Sequence, residues 1–134
     1  MKRDNDHGLY ILWLRLASPV TTTVGRLGPC RFPAGLYGYV GSAQRRRSAR
    51  IARHLRLDKP LRWHIDYLRP HGTVVAVSLA DSPRAGECRL ARYLVDTCGG
   101  RVIVPRFGAS DCRCPGHLVL LPGESPPPLD GWDT

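Results

Sequence analysis

Long apolar runs, regularly spaced cysteines and acidic residues are scarce or missing in this chain, and each shortage excludes a class of protein. No run of about 18 or more apolar residues occurs, so no segment is expected to span a membrane. The five cysteines are an odd number without the regular spacing of a disulfide-stapled domain, and no secretory leader is recognisable. The sequence therefore predicts reduced thiols and a cytoplasmic location.

The shortage of acid leaves the chain strongly basic, with 20 Lys and Arg against 11 Asp and Glu. Three of those acids, Glu124, Asp130 and Asp133, lie close to the C-terminal end, so residues 1–121 are more cationic still. Such a field favours polyanions through phosphate contacts and counterion release. The composition is therefore compatible with a nucleic-acid partner but does not say which polyanion is bound, and a basic protein without a specific partner is the alternative.

A basic segment between Arg45 and Arg69 concentrates this charge, with nine Lys and Arg and only two acids. Helical periodicity over residues 45–57 predicts one apolar face and one basic face. The basic face is expected to form a groove for phosphates, and a solvated helix face is the alternative. The predicted nucleic-acid contacts are Arg45, Arg46, Arg47, Arg53 and Arg62.

Strand and helix signals alternate along a chain of 134 residues, which suffices for one core. We predict a single domain over residues 1–121 and an unfolded Pro-rich tail over 122–134. Ser18-Pro19 predicts a turn that pairs the first two strands as an antiparallel hairpin. Strands are predicted at 8–16, 20–27, 36–41, 73–79, 101–104 and 117–121, and helices at 45–57, 61–68 and 83–98, the last with Ser82 as its N-cap.

Glu87 is an acid on an otherwise apolar helix face. In the predicted helix it shares that face with Leu90, Ala91, Leu94, Val95 and Cys98, so its carboxylate is expected to point toward the sheet. A buried carboxylate is costly unless it is protonated, paired or bound to a cation. Glu87 is therefore the main candidate for a hard-metal ligand; pairing with an arginine or stabilising the helix N-terminus is the alternative.

Five elements in a fixed order resemble the GIY-YIG nuclease superfamily: Gly8-Leu9-Tyr10, Tyr39-Val40-Gly41, Arg50, His54 and Glu87. The stretches 37–43, 62–68 and 107–112, with Cys114 and His117, resemble more narrowly its compact Uri-type branch. Two departures stand out. Between Tyr10 and Tyr39 lie 28 residues, more than the family usually has, and the asparagine that many relatives carry after the glutamate is missing.

The resemblance implies an α+β fold, in which helices flank a small antiparallel sheet, and metal-dependent hydrolysis of nucleic-acid phosphodiesters. The sequence does not distinguish DNA from RNA; we expect DNA as the substrate, with a lean to single-stranded or structured DNA. Glu87 would hold Mg²⁺ or Mn²⁺, and Arg50 would stabilise charge on the phosphoryl oxygens.

The same resemblance gives roles to two tyrosines and two histidines. Tyr10 would act as general base toward water, which requires Arg50 and the metal to lower its pKa. Tyr39 would orient phosphate or water, although Tyr37 points to the same side of its strand. His54 or His64 would relay a proton or hold Tyr10.

Soft metal ligands cluster near the end of the domain. Cys112, Cys114 and His117 could bind Zn²⁺, with Cys88 or Cys98 completing the site, but ordinary loop residues explain the spacing as well. His117 could instead reach the active site. Two other classes of function remain open: a non-catalytic nucleic-acid-binding module, and a zinc-stabilised interaction domain.

Overall fold

The computed structural model describes residues 6–80, 86–109, 114–129 and 132. Within these residues the chain forms an α+β domain with one four-stranded antiparallel sheet, a separate two-stranded sheet and three α-helices, which confirms the predicted fold class. Short 3-10 turns lie at Gly25–Leu27 and Arg69–His71. The elements are β1 (Gly8–Leu16), β2 (Val20–Thr23), β3 (Pro29–Phe32), β4 (Gly35–Ala43), α1 (Arg47–Leu55), α2 (His64–Leu68), β5 (Thr73–Ala80), α3 (Gly86–Asp96) and β6 (Leu118–Leu121).

Strand β1 is central to the larger sheet, whose order is β5-β1-β4-β6. It pairs antiparallel with β4 along its whole length and with β5 on its other edge. Both of its faces are covered, and Arg15 is its one exposed residue. A continuous apolar strand of this kind is typical of a position buried on both sides.

The predicted hairpin between the first two strands is wrong. Strand β2 pairs with β3 instead, and a turn closed by the Val24 N–H bond to the Gly28 carbonyl, at 2.9 Å, reverses the chain between them. Strand β4 is the neighbour of β1 because both are nine residues long and apolar on two faces. Strand β2 has four residues, every second one exposed, and could not cover β1.

Helices pack on both faces of the sheet. Because side chains alternate along a strand, β1 contributes Tyr10 and Leu12 to one core cluster and Leu9 and Ile11 to the other. Residues of α1 and α2 join the first cluster, and residues of α3 join the second. In the described part of the chain no helix is long and apolar enough to cross a membrane.

Element boundaries differ from the prediction mainly near the C-terminal end. Ser82 and residues 83–85, the predicted start of the third helix, lie outside the described residues. The strand predicted at 101–104 reduces to a single bridge between Arg101 and Leu120, because the chain enters a turn over 105–108.

The segment predicted as an unfolded tail contacts the domain. The carbonyl of Glu124 accepts a hydrogen bond from Arg15 at 2.8 Å. Trp132 is buried, with its ring centroid 6.0 Å from that of Tyr93 and 5.1 Å from the guanidinium carbon of Arg89. Trp132 belongs to the same core cluster as Leu90 and Leu94, and Leu129 packs against this cluster.

Candidate active site

A cleft opens where β6 stops covering the edge of β4. Strand β6 pairs with β4 only as far as Tyr39, and one further hydrogen bond joins Val40 N–H to the His117 carbonyl at 2.9 Å. Beyond this point, side chains from both faces of the sheet can meet around the edge of β4. The cleft has a volume of about 790 Å³. Its lining combines the end of β4 with residues of β1, of the three helices and of the loops beside them: Tyr10, Tyr39, Val40, Gly41, Ser42, Ala43, Gln44, Arg45, Arg50, Arg62, Trp63, His64, Glu87, Cys88, Gly108 and His117.

Tyr10 and Tyr39 lie on the same face of the sheet at the base of this cleft. Tyr10 is opposite Gly41 in the strand register, and Tyr39 is opposite Leu12. A Cβ atom on Gly41 would lie 2.5 Å from the Tyr10 hydroxyl, so the tyrosine ring requires glycine there. Tyr37 points to the same side but donates its hydroxyl to the Pro33 carbonyl at 2.5 Å and does not line the cleft.

His54 lies behind Tyr10 and does not line the cleft. Its Nε2 is 2.8 Å from the Tyr10 hydroxyl, and its ring packs edge-on against Tyr39. Burial, reinforced by the Lys59 cation, lowers the pKa of His54 to about 3, so the imidazole is neutral at physiological pH. Two roles were predicted for His54, relaying a proton and holding Tyr10. Its contact with the Tyr10 hydroxyl agrees with the second role.

Acid is expected to destabilise the fold through His54. Its folded pKa of about 3 lies below the ordinary value of 6.5, so between these pH values the unfolded chain binds more protons and stability falls as pH falls. The expected slope from this group is about 1.4 kcal/mol per pH unit between about pH 6 and pH 4. Urea denaturation at a series of pH values gives the free energy of unfolding at each pH, and in His54→Gln this free energy should change less steeply with pH by that amount.

Two other histidines also contribute to the loss of stability in acid, so the wild-type chain must be compared with His54→Gln. Burial also lowers the pKa values of His64 and His117, so both proteins retain an acid-dependent loss of stability. Parallel slopes in the wild-type chain and His54→Gln would contradict the assignment of a buried, neutral His54.

The pKa of Tyr10 shifts in the direction opposite to the one expected for a base. Burial raises it, and the nearby Arg50 cation opposes that shift without cancelling it, while Glu87 adds to it. Burial raises the pKa of Tyr39 as well. Both tyrosines are therefore neutral hydrogen-bonding groups in this protein. Arg50 alone does not bring the pKa of Tyr10 down, because the buried ring loses more hydration than this guanidinium offsets; the expected contribution of a bound metal stays a prediction.

Arg50 reaches the cleft from the outer side of α1. Its Nη1 donates to the Ser42 carbonyl at 2.7 Å, and its guanidinium carbon lies 5.0 Å from the centroid of the Trp63 ring. A guanidinium that lies against an indole and donates at one end is held in place beside the cleft, which Arg50 lines.

Glu87 reaches the cleft from the first turn of α3, on the other side of the sheet edge. One carboxylate oxygen, Oε2, accepts a short hydrogen bond from the Ser42 hydroxyl, and the other, Oε1, lies 3.6 Å from Nδ1 of His117. Its side chain is 26% exposed. The predicted orientation toward the sheet is correct, and the carboxylate is partly open to the cleft.

His64 begins α2 and lines the opposite wall. Its Nδ1 accepts the Gly108 N–H at 2.7 Å, which requires that nitrogen to be unprotonated. The neutral ring therefore carries its proton on Nε2, and burial lowers the pKa of this histidine. His64 is thus a hydrogen-bond donor through Nε2.

The five arginines predicted to contact nucleic acid divide into two groups. Arg45 and Arg62 line the cleft, and Arg46 is exposed just before α1. Arg47 is buried and donates to the Leu9 carbonyl at 3.1 Å, so it ties α1 to β1 rather than facing solvent. Arg53 forms two hydrogen bonds, at 3.1 and 3.0 Å, to a buried carboxylate, and is likewise a structural residue here.

That carboxylate is Asp66, in α2. Burial alone would raise its pKa, but hydrogen bonds from Arg53 and from the Trp63 and Arg62 N–H groups lower the pKa below its ordinary value. The two N–H bonds are each 2.8 Å long. Asp66 thereby fixes the segment that carries Arg62, Trp63 and His64 into the cleft.

Three soft ligands meet beside Glu87. The ligand atoms of Cys88, Cys114 and His117 all lie within 4.8 Å of one another, so these residues could hold a metal ion. Cys112, the remaining member of the predicted zinc set, lies outside the described residues, and Cys98 is not part of this group.

One known sequence family matches most of the chain. Residues 9–128 match the sequence model of the family described as Domain of unknown function DUF123. The chain belongs to this family. No curated protein and no solved structure matches it. The DUF123 match includes every cleft residue described above.

Three cleft residues of this DUF123 domain were not assigned a definite role from sequence. Ser42 directly follows the Tyr-Val-Gly motif, and its hydroxyl binds Glu87. His117 was predicted to join either a zinc site or the active site, and it lies beside both Glu87 and Cys88. Gly108 has a φ of +73°, and a Cβ atom there would lie 3.0 Å from Tyr39 and 3.3 Å from His117; the Phe107-Gly108-Ala109 stretch was the available signal.

Proposed function

We propose that the protein is a GIY-YIG-type endonuclease of the compact Uri-type branch, which hydrolyses phosphodiester bonds of DNA with Mg²⁺ or Mn²⁺. One observation carries the proposal. Residues from β1, β4, α1, α2 and α3 meet in a single cleft, and they are five of the six residues that the resemblance assigns to catalysis: Tyr10, Tyr39, Arg50, His64 and Glu87. The sixth, His54, lies behind Tyr10 and contacts its hydroxyl.

The cleft suits a polyanion. Arg45, Arg50 and Arg62 line it, while Glu87 is its one acidic residue in the described part of the chain. Phosphates would therefore enter a field of positive charge. This also separates the arginines that can contact nucleic acid from Arg47 and Arg53, whose partners are within the fold.

The residues around Glu87 fit a hard divalent cation. Mg²⁺ commonly takes one or two carboxylates and completes its shell with water and phosphate oxygens, and Glu87 offers one partly exposed carboxylate beside the Ser42 hydroxyl. Glu87 would hold the ion. When bound, the ion would lower the pKa of the attacking water and offset charge on the phosphoryl oxygens.

Arg50 would stabilise the transition state. Its contacts with Ser42 and Trp63 fix the guanidinium before substrate arrives, so its remaining N–H groups need little reorganisation as negative charge builds on the phosphoryl oxygens. Neutral His64 would donate through Nε2 to a second phosphate oxygen.

The two tyrosines would position groups rather than remove protons. Tyr10 is neutral and bonded to neutral His54, so its hydroxyl can orient the attacking water. Tyr39, also neutral, would donate to the phosphate. Removal of the proton from water would then depend mainly on the cation at Glu87. The alternative function is a nucleic-acid-binding module without catalysis, which needs the arginines of the cleft but neither Tyr10 nor Glu87.

A cleavage assay tests the proposal. The purified chain is incubated with end-labelled single-stranded, duplex and branched DNA and with RNA, in Mg²⁺, in Mn²⁺ and in EDTA. We expect cleavage of DNA that requires a divalent ion, fastest on single-stranded or branched substrates. Binding of the same oligonucleotides with no cleavage in any ion would refute the nuclease and support the binding module.

A further inference from the structure

A cluster of soft ligands lies beside the cleft, which two of its members, Cys88 and His117, line, and none of them takes part directly in the proposed hydrolysis. Cys88 lies in the first turn of α3, and Cys114 and His117 lie in the segment that leads into β6. Cys114 and His117 are buried, and Cys88 is half-buried. Two segments distant in sequence thus bring two thiols and an imidazole within 4.8 Å of one another.

The spacing of these atoms suits tetrahedral zinc. Sγ of Cys88 lies 3.6 Å from Nε2 of His117. Bond lengths of about 2.3 Å to sulfur and about 2.0–2.1 Å to nitrogen, at a tetrahedral angle, place those two ligand atoms about 3.6 Å apart. Thiolate and imidazole ligands select zinc over Mg²⁺, which prefers oxygen.

The orientation of His117 supplies a second, independent indication. Its Nε2 faces the Cys88 sulfur, and its Nδ1 faces Oε1 of Glu87 at 3.6 Å. Zinc-binding histidines almost always give their other ring nitrogen to a carboxylate, a carbonyl or water, which fixes the ring. Glu87 faces this nitrogen at ion-pair distance, and the Gly108 backbone also hydrogen-bonds the ring.

We propose that Cys88, Cys114 and His117 bind one Zn²⁺ ion, with Glu87 orienting His117 from outside the coordination shell. The site joins the first turn of α3 to the segment before β6. It would therefore hold Glu87 in place at the cleft. The proposal goes beyond the nuclease assignment and does not depend on it, because it concerns a different ion bound by different atoms.

Cobalt substitution tests the site without any activity measurement. The full chain is treated with a chelator and titrated with Co²⁺ under reducing conditions. We expect one Co²⁺ per chain, with visible bands of a tetrahedral ion and a near-ultraviolet band from thiolate ligands, all displaced by one equivalent of Zn²⁺. A featureless titration, or a spectrum without the thiolate band, would overturn the proposal.

Matched variants assign the ligands. Cys88→Ser should lose the thiolate spectrum or weaken it strongly, whereas Cys98→Ser, a change in the same helical region outside the cluster, should behave as the wild-type chain. Should Cys88→Ser fail to fold, His117→Cys provides the second measurement, since it keeps three ligands and should bind Co²⁺ with a stronger thiolate band. Equal spectra in Cys88→Ser and the wild-type chain would refute the assignment.

Glu87→Gln tests the supporting carboxylate. Loss of such a partner typically lowers metal affinity by about 10- to 100-fold, so Zn²⁺ competition against a chelator should shift by that factor while the tetrahedral spectrum persists. Unchanged affinity would refute the role of Glu87 in this site. A mass decrease of about 2 Da in anaerobically purified chain, with a Cys88–Cys114 disulfide, would overturn the zinc proposal as a whole.

Discussion

Glu87→Gln is expected to lower the rate of DNA cleavage at least about a thousandfold, which corresponds to roughly 4 kcal/mol of transition-state stabilisation. Glutamine keeps the size of the side chain and an oxygen that can accept from Ser42, but it loses the charge that would hold the cation. Because the cation both activates water and offsets phosphoryl charge, its loss removes two contributions together. Single-turnover cleavage in Mg²⁺ measures the effect.

Glu124→Gln is the matched control, because Glu124 is the one other glutamate of the chain and is exposed, with only its carbonyl bonded to Arg15. It should cleave at the wild-type rate. Oligonucleotide binding should persist in Glu87→Gln, since the arginines remain. Cleavage by Glu87→Gln at the wild-type rate would contradict the metal-binding role.

Glu87→Gln could lower activity in two ways, through loss of the catalytic cation or through loss of Zn²⁺ from the neighbouring site, and one experiment distinguishes them. If Glu87→Gln lost activity only because Zn²⁺ dissociated, excess Zn²⁺ would restore cleavage in the presence of Mg²⁺. If the carboxylate holds the catalytic cation, excess Zn²⁺ at the thiolate site restores nothing. The two roles of Glu87 therefore give different results.

Local patterns sufficed to predict most elements but not their pairing. The apolar run of β1 and the periodicity of α1 and α3 are properties of the sequence itself, and the structure has a strand or helix in each place. The prediction of a hairpin between β1 and β2 was wrong because the partner of β1 must pair with it over nine residues and be apolar on two faces. Strand β4 meets both conditions, and it does not directly follow β1 in the sequence.

Motif order predicted the cleft better than charge did. Tyr10, Tyr39 and Glu87 meet as expected because a fixed strand register and the first turn of one helix position them. Motif order could not predict which arginines face the cleft and which bind partners within the fold. Whether Arg53 binds phosphate or an internal partner depends on Asp66, which lies 13 residues away on another helix. A count of basic residues cannot show such a partner.

The sign of the tyrosine pKa shift shows a similar limit. The sequence suggested that Arg50 and a bound metal would together lower the pKa of Tyr10, since opposite charges nearby favour the phenolate. The fold instead buries both tyrosine rings beside a neutral histidine, and the loss of hydration outweighs the arginine. Burial is a tertiary property, so its contribution could not be read from residue spacing.

Asp66→Asn is expected to destabilise the fold by about 3–5 kcal/mol, the usual cost of removing one partner of a buried ion pair. Asp66 is fully buried and accepts from Arg53 at 3.1 and 3.0 Å and from two backbone N–H groups. Lys59 lies 3.6 Å from it as well. An asparagine would leave two cations without a counter-charge and turn an NH₂ group toward one of its former donors.

Urea denaturation measures this loss, with Asp58→Asn as the control. Asp58 is exposed, and its carbonyl, which the substitution keeps, accepts from Arg56, so the control should stay within about 0.5 kcal/mol of the wild-type chain. Because Asp66 also fixes the segment that carries Arg62, Trp63 and His64, folded Asp66→Asn should bind DNA more weakly. A stability change as small as that of Asp58→Asn would contradict the view that this buried charge cluster, rather than a phosphate, is the partner of Arg53.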